Sequence, residues 1–364
     1  MFKEACHERH NDGTGLARRG RTAPGKTPPP IQDPRDAIVR VTLSSICASD
    51  LHIRDGAVPR ARPGVILGHE FVGEVVEIGP EVRKVRPGMR VAANVETFCG
   101  SCFFCRHDYV NNCEQGGWEL GCRIDGCQTE YVRVPFADNG LNPIPTDLTD
   151  EEVIFVGDVL SSGYFGVELA EIRPGDTVAV LGAGPVGLCA MACARLFGAG
   201  RIIAVDLLES RLCLARAQGW ADDAINAATE DVETRVRELS AGKGADAVIE
   251  AAGGRDTFQT AWKIARPHAC VAVVAMYAED QSLPLHRMYG KNLIFKTGGV
   301  DAVHCDRLIR LIAEGRLDMR PLITHRLPLE RILEGYDIFE RKSDGCIKCV
   351  VTPATADQAF SLFE

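Results

Sequence analysis

Residues 177–199, TVAVLGAGPVGLCAMACARLFGA, run from an apolar strand through a tight glycine turn into an apolar helix. Few folds other than a parallel sheet can use that order of elements. Gly182-Ala183-Gly184-Pro185-Val186-Gly187 fits G-x-G-x-x-G. In this strand–helix context the pattern reads as a pyrophosphate cradle. The first glycine permits the tight turn, Gly184 lets backbone approach the phosphates, and Gly187 lets helix and strand pack closely. The helix N-terminus offers unpaired N–H groups to the anion. The pattern then repeats, with RIIAVD (201–206), ESRLCLARAQG (209–219), DDAIN (222–226), DAVIEAAG (246–253) and CVAVVAM (270–276). Strand–helix alternation of this kind predicts a parallel, doubly wound sheet. Asp206 ends the second strand, where a carboxylate accepts hydrogen bonds from both ribose hydroxyls and repels a 2′-phosphate. The dinucleotide expected is therefore NAD.

The N-terminal half has a different texture. AIVRVTLSSICASD (37–50) and FVGEVVEIG (71–79) alternate apolar and polar residues, and RPGMRVAA (86–93) reads as a turn and strand. Short strands with Gly and Pro punctuation predict a β-rich domain as far as about residue 150. Residues 151–171 read as an apolar helix interrupted at Ser161-Ser162-Gly163. Beyond Gly298-Gly299, a helix over 306–315 leads to a last strand in IKCVVT. A chain of 364 residues is too long for one core, and two domains are expected. Residues 1–30 show neither period and read as an atypical leader. Glu4, Glu8 and Asp12 argue against a transit peptide, and no apolar run resembles a secretory signal or a membrane span. The reading is a cytoplasmic protein.

Within the β-rich half, Cys99, Cys102, Cys105 and Cys113 stand at C-x2-C-x2-C-x7-C. Four thiolates so spaced close a tetrahedral Zn2+ site. Disulfide pairing is the alternative, disfavoured where fifteen cysteines occur without an export signal. Upstream stand Cys47 and Gly68-His69-Glu70, which could supply a second, more open site. By themselves Cys47 and His69 read equally as buried structural residues. A ladder alone would also suit a nucleic-acid module. The net charge of −9, from 41 basic and 50 acidic residues, opposes that.

Together the GHE triplet, the ladder and GAGPVG make the chain, from about Ile31 onward, resemble the zinc-dependent medium-chain alcohol dehydrogenases. The resemblance implies an α/β protein: a GroES-like, β-rich catalytic domain built from residues 31–160 and 300–364, and a Rossmann domain over 161–299. It implies one catalytic and one structural Zn2+ per chain. Cys47 and His69 match two catalytic ligands, and Glu70 a transient extra ligand. The third ligand is usually a cysteine; here Asp158 takes its place, as in the branch with bacterial secondary-alcohol dehydrogenases. Outside that match Asp158 would read as a cap. A carboxylate oxygen is a normal but harder zinc ligand.

Ser49 matches the hydroxyl that hydrogen-bonds the substrate oxygen, His52 the imidazole that passes the proton onward, and Asp50 the carboxylate that orients His69. Arg211 matches a cation near the adenosine ribose and Lys348 one on the pyrophosphate. The implied activity is interconversion of an alcohol, with a secondary one favoured, and its carbonyl by hydride transfer to NAD. An aldehyde-oxidising or dismutating enzyme that retains NAD, a polyol or hydroxysteroid dehydrogenase, and a silent NAD-binding protein are the competing readings. A homodimer or homotetramer is expected, with a small-molecule alcohol or ketone as partner and neither nucleic acid nor membrane.

Overall fold

A computed structural model describes residues 28–353. These residues form two compact units. One takes in the chain through Asp158 and again from Asp301; the other is Val159–Val300. Residues 1–27 of the expected leader lie outside the described residues.

The first unit is built on a seven-stranded mixed sheet. Its central strand, β1 (Ala37–Ser45), pairs antiparallel along one edge with β2 (Phe71–Ile78). Its other edge is shared. The first half pairs with β4 (Tyr131–Val134) and the second half with β13 (Lys348–Thr352). β3 (Arg90–Ala93) and β5 (Leu141–Pro143) continue the sheet beyond β2, and β12 (Ile323–Pro328) lies parallel to β13. The period-two pattern explains the core. Ala37, Val39 and Val41 face Phe71, Val75, Val91, Val132 and Val134 in one buried cluster. Each such side chain withdrawn from water contributes roughly 1.5–3 kcal/mol. The alternate position Arg40 lies opposite Glu74 and pairs with it at 2.6 Å.

The sequence pattern reads as strand through Asp50, but the strand stops at Ser45. Helix α1 (Ala48–Arg54) begins directly after Cys47. A reciprocal cap decides this: Asp50 Oδ2 accepts from the Cys47 N–H at 3.0 Å, and Cys47 is the N-cap residue. Local capping therefore overrides the apolar alternation.

The second unit carries a six-stranded parallel sheet. Its strands are β6 (Thr177–Leu181), β7 (Arg201–Asp206), β8 (Asp223–Asn226), β9 (Ala245–Glu250), β10 (Ala265–Val273) and β11 (Ile294–Thr297), in the spatial order β11-β10-β9-β6-β7-β8. Chain order reverses at β6, so the turn that follows β6 sits at the topological switch point. The expected break at Ser161-Ser162-Gly163 does not occur. Helix α2 (Val159–Leu169) runs through it, and the break falls instead between Val153 and Val159, where Asp158 sits. Gly163 is a packing residue. A Cβ there would lie 2.6 Å from the Ala190 backbone nitrogen on helix α3 (Pro185–Leu196).

Gly163→Val should therefore overpack the α2–α3 contact and lower stability by about 1–3 kcal/mol. Thermal unfolding of the variant beside the parent checks it; an unchanged midpoint would mean that the helices separate at no cost.

Candidate metal centres and dinucleotide site

Three donors of different chemistry converge in the first unit. One ligand atom each from Cys47, His69 and Asp158 lies within 4.8 Å of the others. Cys47 is at the N-cap of α1, His69 stands two residues before the start of β2, and Asp158 ends the loop held by the Val95 N–H on the Gly157 carbonyl at 3.1 Å. His69 Nε2 lies 3.3 Å from Asp158 Oδ2. Among the described residues that buried carboxylate oxygen has no aligned hydrogen bond. A buried anionic oxygen in this state is costly unless a cation or donor faces it. The Ser49 hydroxyl lies 3.1 Å from Cys47 Sγ and 3.2 Å from His69 Nε2. Thiolate, imidazole and carboxylate with a hydroxyl beside them fit a zinc site with three protein ligands and an open position.

Behind the donors is a buried support. Asp50 Oδ1 lies 3.4 Å from His69 Nδ1. Its Oδ2 accepts from Gln128 Nε2 at 3.1 Å, and Gln128 Oε1 accepts from the Tyr336 hydroxyl at 2.8 Å. Burial disfavours the His69 cation, but the Asp50 and Asp158 carboxylates outweigh it and raise the imidazole pKa. Asp50, the residue expected to orient His69, faces its Nδ1 without an aligned hydrogen bond among the described residues. His52 is half-buried on α1.

Lys348 is placed differently from its expected role, and it pairs with Glu70. Lys348 is fully buried. Its ammonium contacts Glu70 Oε2 at 2.5 Å and the Ile46 carbonyl at 2.9 Å. The reason is charge pairing: two ionised groups buried together need each other. Lys348 is therefore the internal counterion of Glu70 and no exposed phosphate-binding cation, and Glu70 has its carboxylate engaged.

Two residues that no motif marks complete the surroundings. Trp118 stands edge-on to His69, with ring centroids 5.4 Å apart. Glu96 is buried, with Oε2 unpartnered among the described residues. Burial pushes its carboxyl up to about 8, against the pull of Arg60. The available sequence signal is a glutamate set in the apolar run before the ladder. Gln128 and Tyr336 carry none.

The ladder forms a second centre. The four Sγ atoms of Cys99, Cys102, Cys105 and Cys113 lie within 4.8 Å of one another. Cys102 and Cys105 are 3.4 Å apart, and Cys99 and Cys105 are 3.9 Å apart. Backbone N–H groups point at the sulfurs: Cys102 and Ser101 at Cys99, and Cys99 and Gln115 at Cys113. Burial would raise the Cys99 thiol, but hydrogen bonds from Ser101 and Cys102 bring it down to about 6, whereas burial raises the Cys105 and Cys113 thiols. Four sulfurs gathered this closely fit Zn2+ closed on all sides.

In the second unit, the turn after β6 has the expected geometry. The Gly182 N–H reaches the Val205 carbonyl at 2.8 Å, and Gly184 is the N-cap of α3 with Pro185 at its first position. Val186 follows in the first turn. A Cβ on Gly187 would sit 1.8 Å from the Gly182 carbonyl, so only glycine lets the helix approach the turn. Asp206 Oδ2 accepts from the Ala183 N–H at 2.7 Å and Oδ1 from Leu208 N–H at 2.9 Å. The Arg211 guanidinium comes within 3.6 Å of where a Gly184 Cβ would be.

With this geometry in hand, comparison with known proteins gives the family. Residues 33–146 match the alcohol dehydrogenase GroES-like domain, and residues 185–302 match the zinc-binding dehydrogenase domain. An alcohol dehydrogenase of Cupriavidus necator is 38% identical over 356 residues, spanning 92% of this chain and 96% of that protein. The chain belongs to the zinc-dependent medium-chain alcohol dehydrogenases. Another member, the NADP-dependent isopropanol dehydrogenase of Thermoanaerobacter brockii, is 37% identical over 322 residues, covering 86% of this chain and 89% of its own. Among solved structures, the alcohol dehydrogenase TADH of Thermus sp. ATN1 aligns with a TM-score of 0.83 at 38% identity, covering 90% of this chain and 95% of that one. The two-domain, α/β architecture is that of the family, and so is its zinc and alcohol oxidoreductase chemistry.

Glu96 gives a stability prediction with a definite sign. Its native pKa is raised above the ordinary 4.5, so the folded state holds a proton that the unfolded chain releases. Stability relative to Glu96→Gln should be greatest near pH 4.5 and fall as pH rises toward 8, by on the order of a few kcal/mol. Denaturant titrations of both proteins across that range check it. Parallel pH profiles would place a solvated carboxylate at position 96.

Proposed function

We propose that the protein interconverts a secondary alcohol and its ketone by hydride transfer with NAD. One Zn2+ would be held by Cys47, His69 and Asp158, and a structural Zn2+ by Cys99, Cys102, Cys105 and Cys113. The observation that carries this reading is the convergence of Cys47, His69 and Asp158, with the buried Oδ2 of Asp158 lacking an aligned hydrogen bond among the described residues. A zinc ion there would supply Lewis acidity that makes an alcohol hydroxyl easier to deprotonate, and NAD would supply the hydride acceptor.

The chain's own groups would do the rest. Ser49, beside Cys47 and His69, would accept a hydrogen bond from the substrate hydroxyl and, as it receives that proton, pass its own hydroxyl proton on. His52 would carry the proton released by Ser49 toward solvent, a task suited to an imidazole. Asp50 would keep His69 in one orientation through Gln128 and Tyr336. Trp118 would close an apolar wall beside His69. The carboxylate at 158 and the isopropanol dehydrogenase relative both favour a secondary alcohol. That relative is NADP-dependent, whereas Asp206, fixed by two backbone N–H groups at the end of β7, favours NAD. A 2′-phosphate against a carboxylate costs several kcal/mol.

The test is turnover of primary and secondary alcohols, polyols and hydroxysteroids with NAD and NADP, before and after chelation. Chelator-sensitive oxidation of secondary alcohols with NAD is expected, and Asp206→Gly should raise the NADP-to-NAD ratio of kcat/KM by about tenfold or more. Native activity equal with both cofactors would remove Asp206 as the selector. Activity on aldehydes alone, with NAD copurifying, would move the reading to an aldehyde-converting enzyme.

We also propose a homo-oligomer formed at the edge of the parallel sheet. β11 is an edge strand, and Leu285, Tyr289 and Ile294 nearby are exposed. Light scattering of the eluted protein should give a dimer or tetramer, and Ile294→Lys should shift it toward monomer. A parent that is monomeric at micromolar concentration would exclude this surface.

A further inference from the structure

The first unit holds a third cluster of ligating groups that neither zinc reading uses. His325, Cys346 and Cys349 each present one ligand atom, and the three atoms lie within 4.8 Å of one another. The two cysteines are buried and belong to the apolar cluster formed with Ile46, Leu329, Ile332 and Tyr336. His325 is half-buried. We infer that these residues form a third metal site, taking a thiophilic cation such as Zn2+ with one coordination position open on the solvent side.

Three independent features carry the inference. The first is spacing. Cys346 and Cys349 repeat the C-x2-C step of the ladder, here with Cys349 in a strand and Cys346 in the turn before it. The second is topology. β12 and β13 run parallel, and their register sets His325 directly opposite Cys349. A histidine is thus delivered to the cysteine pair by backbone pairing, so its placement does not depend on a flexible loop. The third is distance. The two Sγ atoms are 3.5 Å apart. In the ladder the corresponding separations are 3.4 Å and 3.9 Å. Tetrahedral zinc with Zn–S bonds of about 2.3 Å sets its sulfurs roughly 3.8 Å apart, so the pair needs almost no movement to share an ion.

The donor set also selects the ion. Two thiolates and an imidazole are soft to borderline ligands, suited to Zn2+ or Cu+ and poor for Mg2+ or Ca2+. Lys348, between the cysteines in sequence, does not oppose the cation. Strand alternation turns its side chain to the other face of β13, where the ammonium is held by Glu70 and the Ile46 carbonyl. An ion at this site would clamp β12 to β13 on both sides of Lys348 and add stability by ordinary ligand linkage.

The experiment is metal counting on the full chain. Protein produced with Zn2+, freed of loose metal and analysed by elemental mass spectrometry should hold three equivalents. Cys346→Ser should hold two, as should His325→Ala, whose half-buried position spares the core if the cysteine variant folds poorly. Cadmium substitution gives a second readout: sulfur-to-metal charge-transfer absorption should drop by the share of two thiolates in Cys346→Ala/Cys349→Ala. Two equivalents in the parent, unchanged in His325→Ala, would overturn the assignment. So would a parent mass two hydrogens low with Cys346 and Cys349 blocked to alkylation, which would assign the pair to a disulfide.

Discussion

A single buried ion pair ties the ends of the first unit together. Lys348 and Glu70 are 278 residues apart in sequence and have no exposed surface. Neither can be buried alone at tolerable cost; removing one partner of such a pair typically costs about 3–5 kcal/mol. The pair fixes more than itself. Glu70 adjoins His69, and the Ile46 carbonyl that takes the second Lys348 hydrogen bond adjoins Cys47. The same contact therefore sets the backbone beside two of the three converging donors, His69 and Cys47. The strand that carries Lys348 also completes the edge of β1. Sheet closure and donor placement rest on the same charge pair.

The parts of this arrangement that sequence displays are those governed by local rules. The β6 turn, Gly182 to Gly187, and the ladder from Cys99 to Cys113 are each confined to fewer than twenty residues, and their spacing encodes their geometry. The alternation of β1 and β2 likewise follows from burial of one face. Cys47, His69 and Asp158 are different. They lie on separate segments, and only the family pattern connects them in sequence; the structure then brings them within 4.8 Å.

What sequence hides are the long-range pairings. Lys348 looks like any cation on a strand, and nothing local shows that Glu70 awaits it. Gln128 and Tyr336 form a relay behind Asp50 although 208 residues separate them. Asp50 itself lies in a stretch whose apolar alternation reads as strand, until its carboxylate caps Cys47 and turns the chain into α1. Ser161-Ser162-Gly163 misleads in the opposite direction. Small residues look like a break, but the helix runs through them, and Gly163 is where α2 meets α3 closely.

The discontinuity of the first unit has a consequence for biosynthesis. All four ladder cysteines fall between residues 99 and 113, so they can meet early while the rest of the chain is still being made. Cys47, His69 and Asp158 are all present once residue 158 has emerged, but the Lys348 that neutralises Glu70 comes only near the end. Domains generally fold as units from the N-terminus during synthesis, yet this unit must wait for the intervening parallel sheet to be completed. The ladder is therefore assembled from one short stretch, whereas the cluster of Cys47, His69 and Asp158 gains its full support only when the last strand is in place.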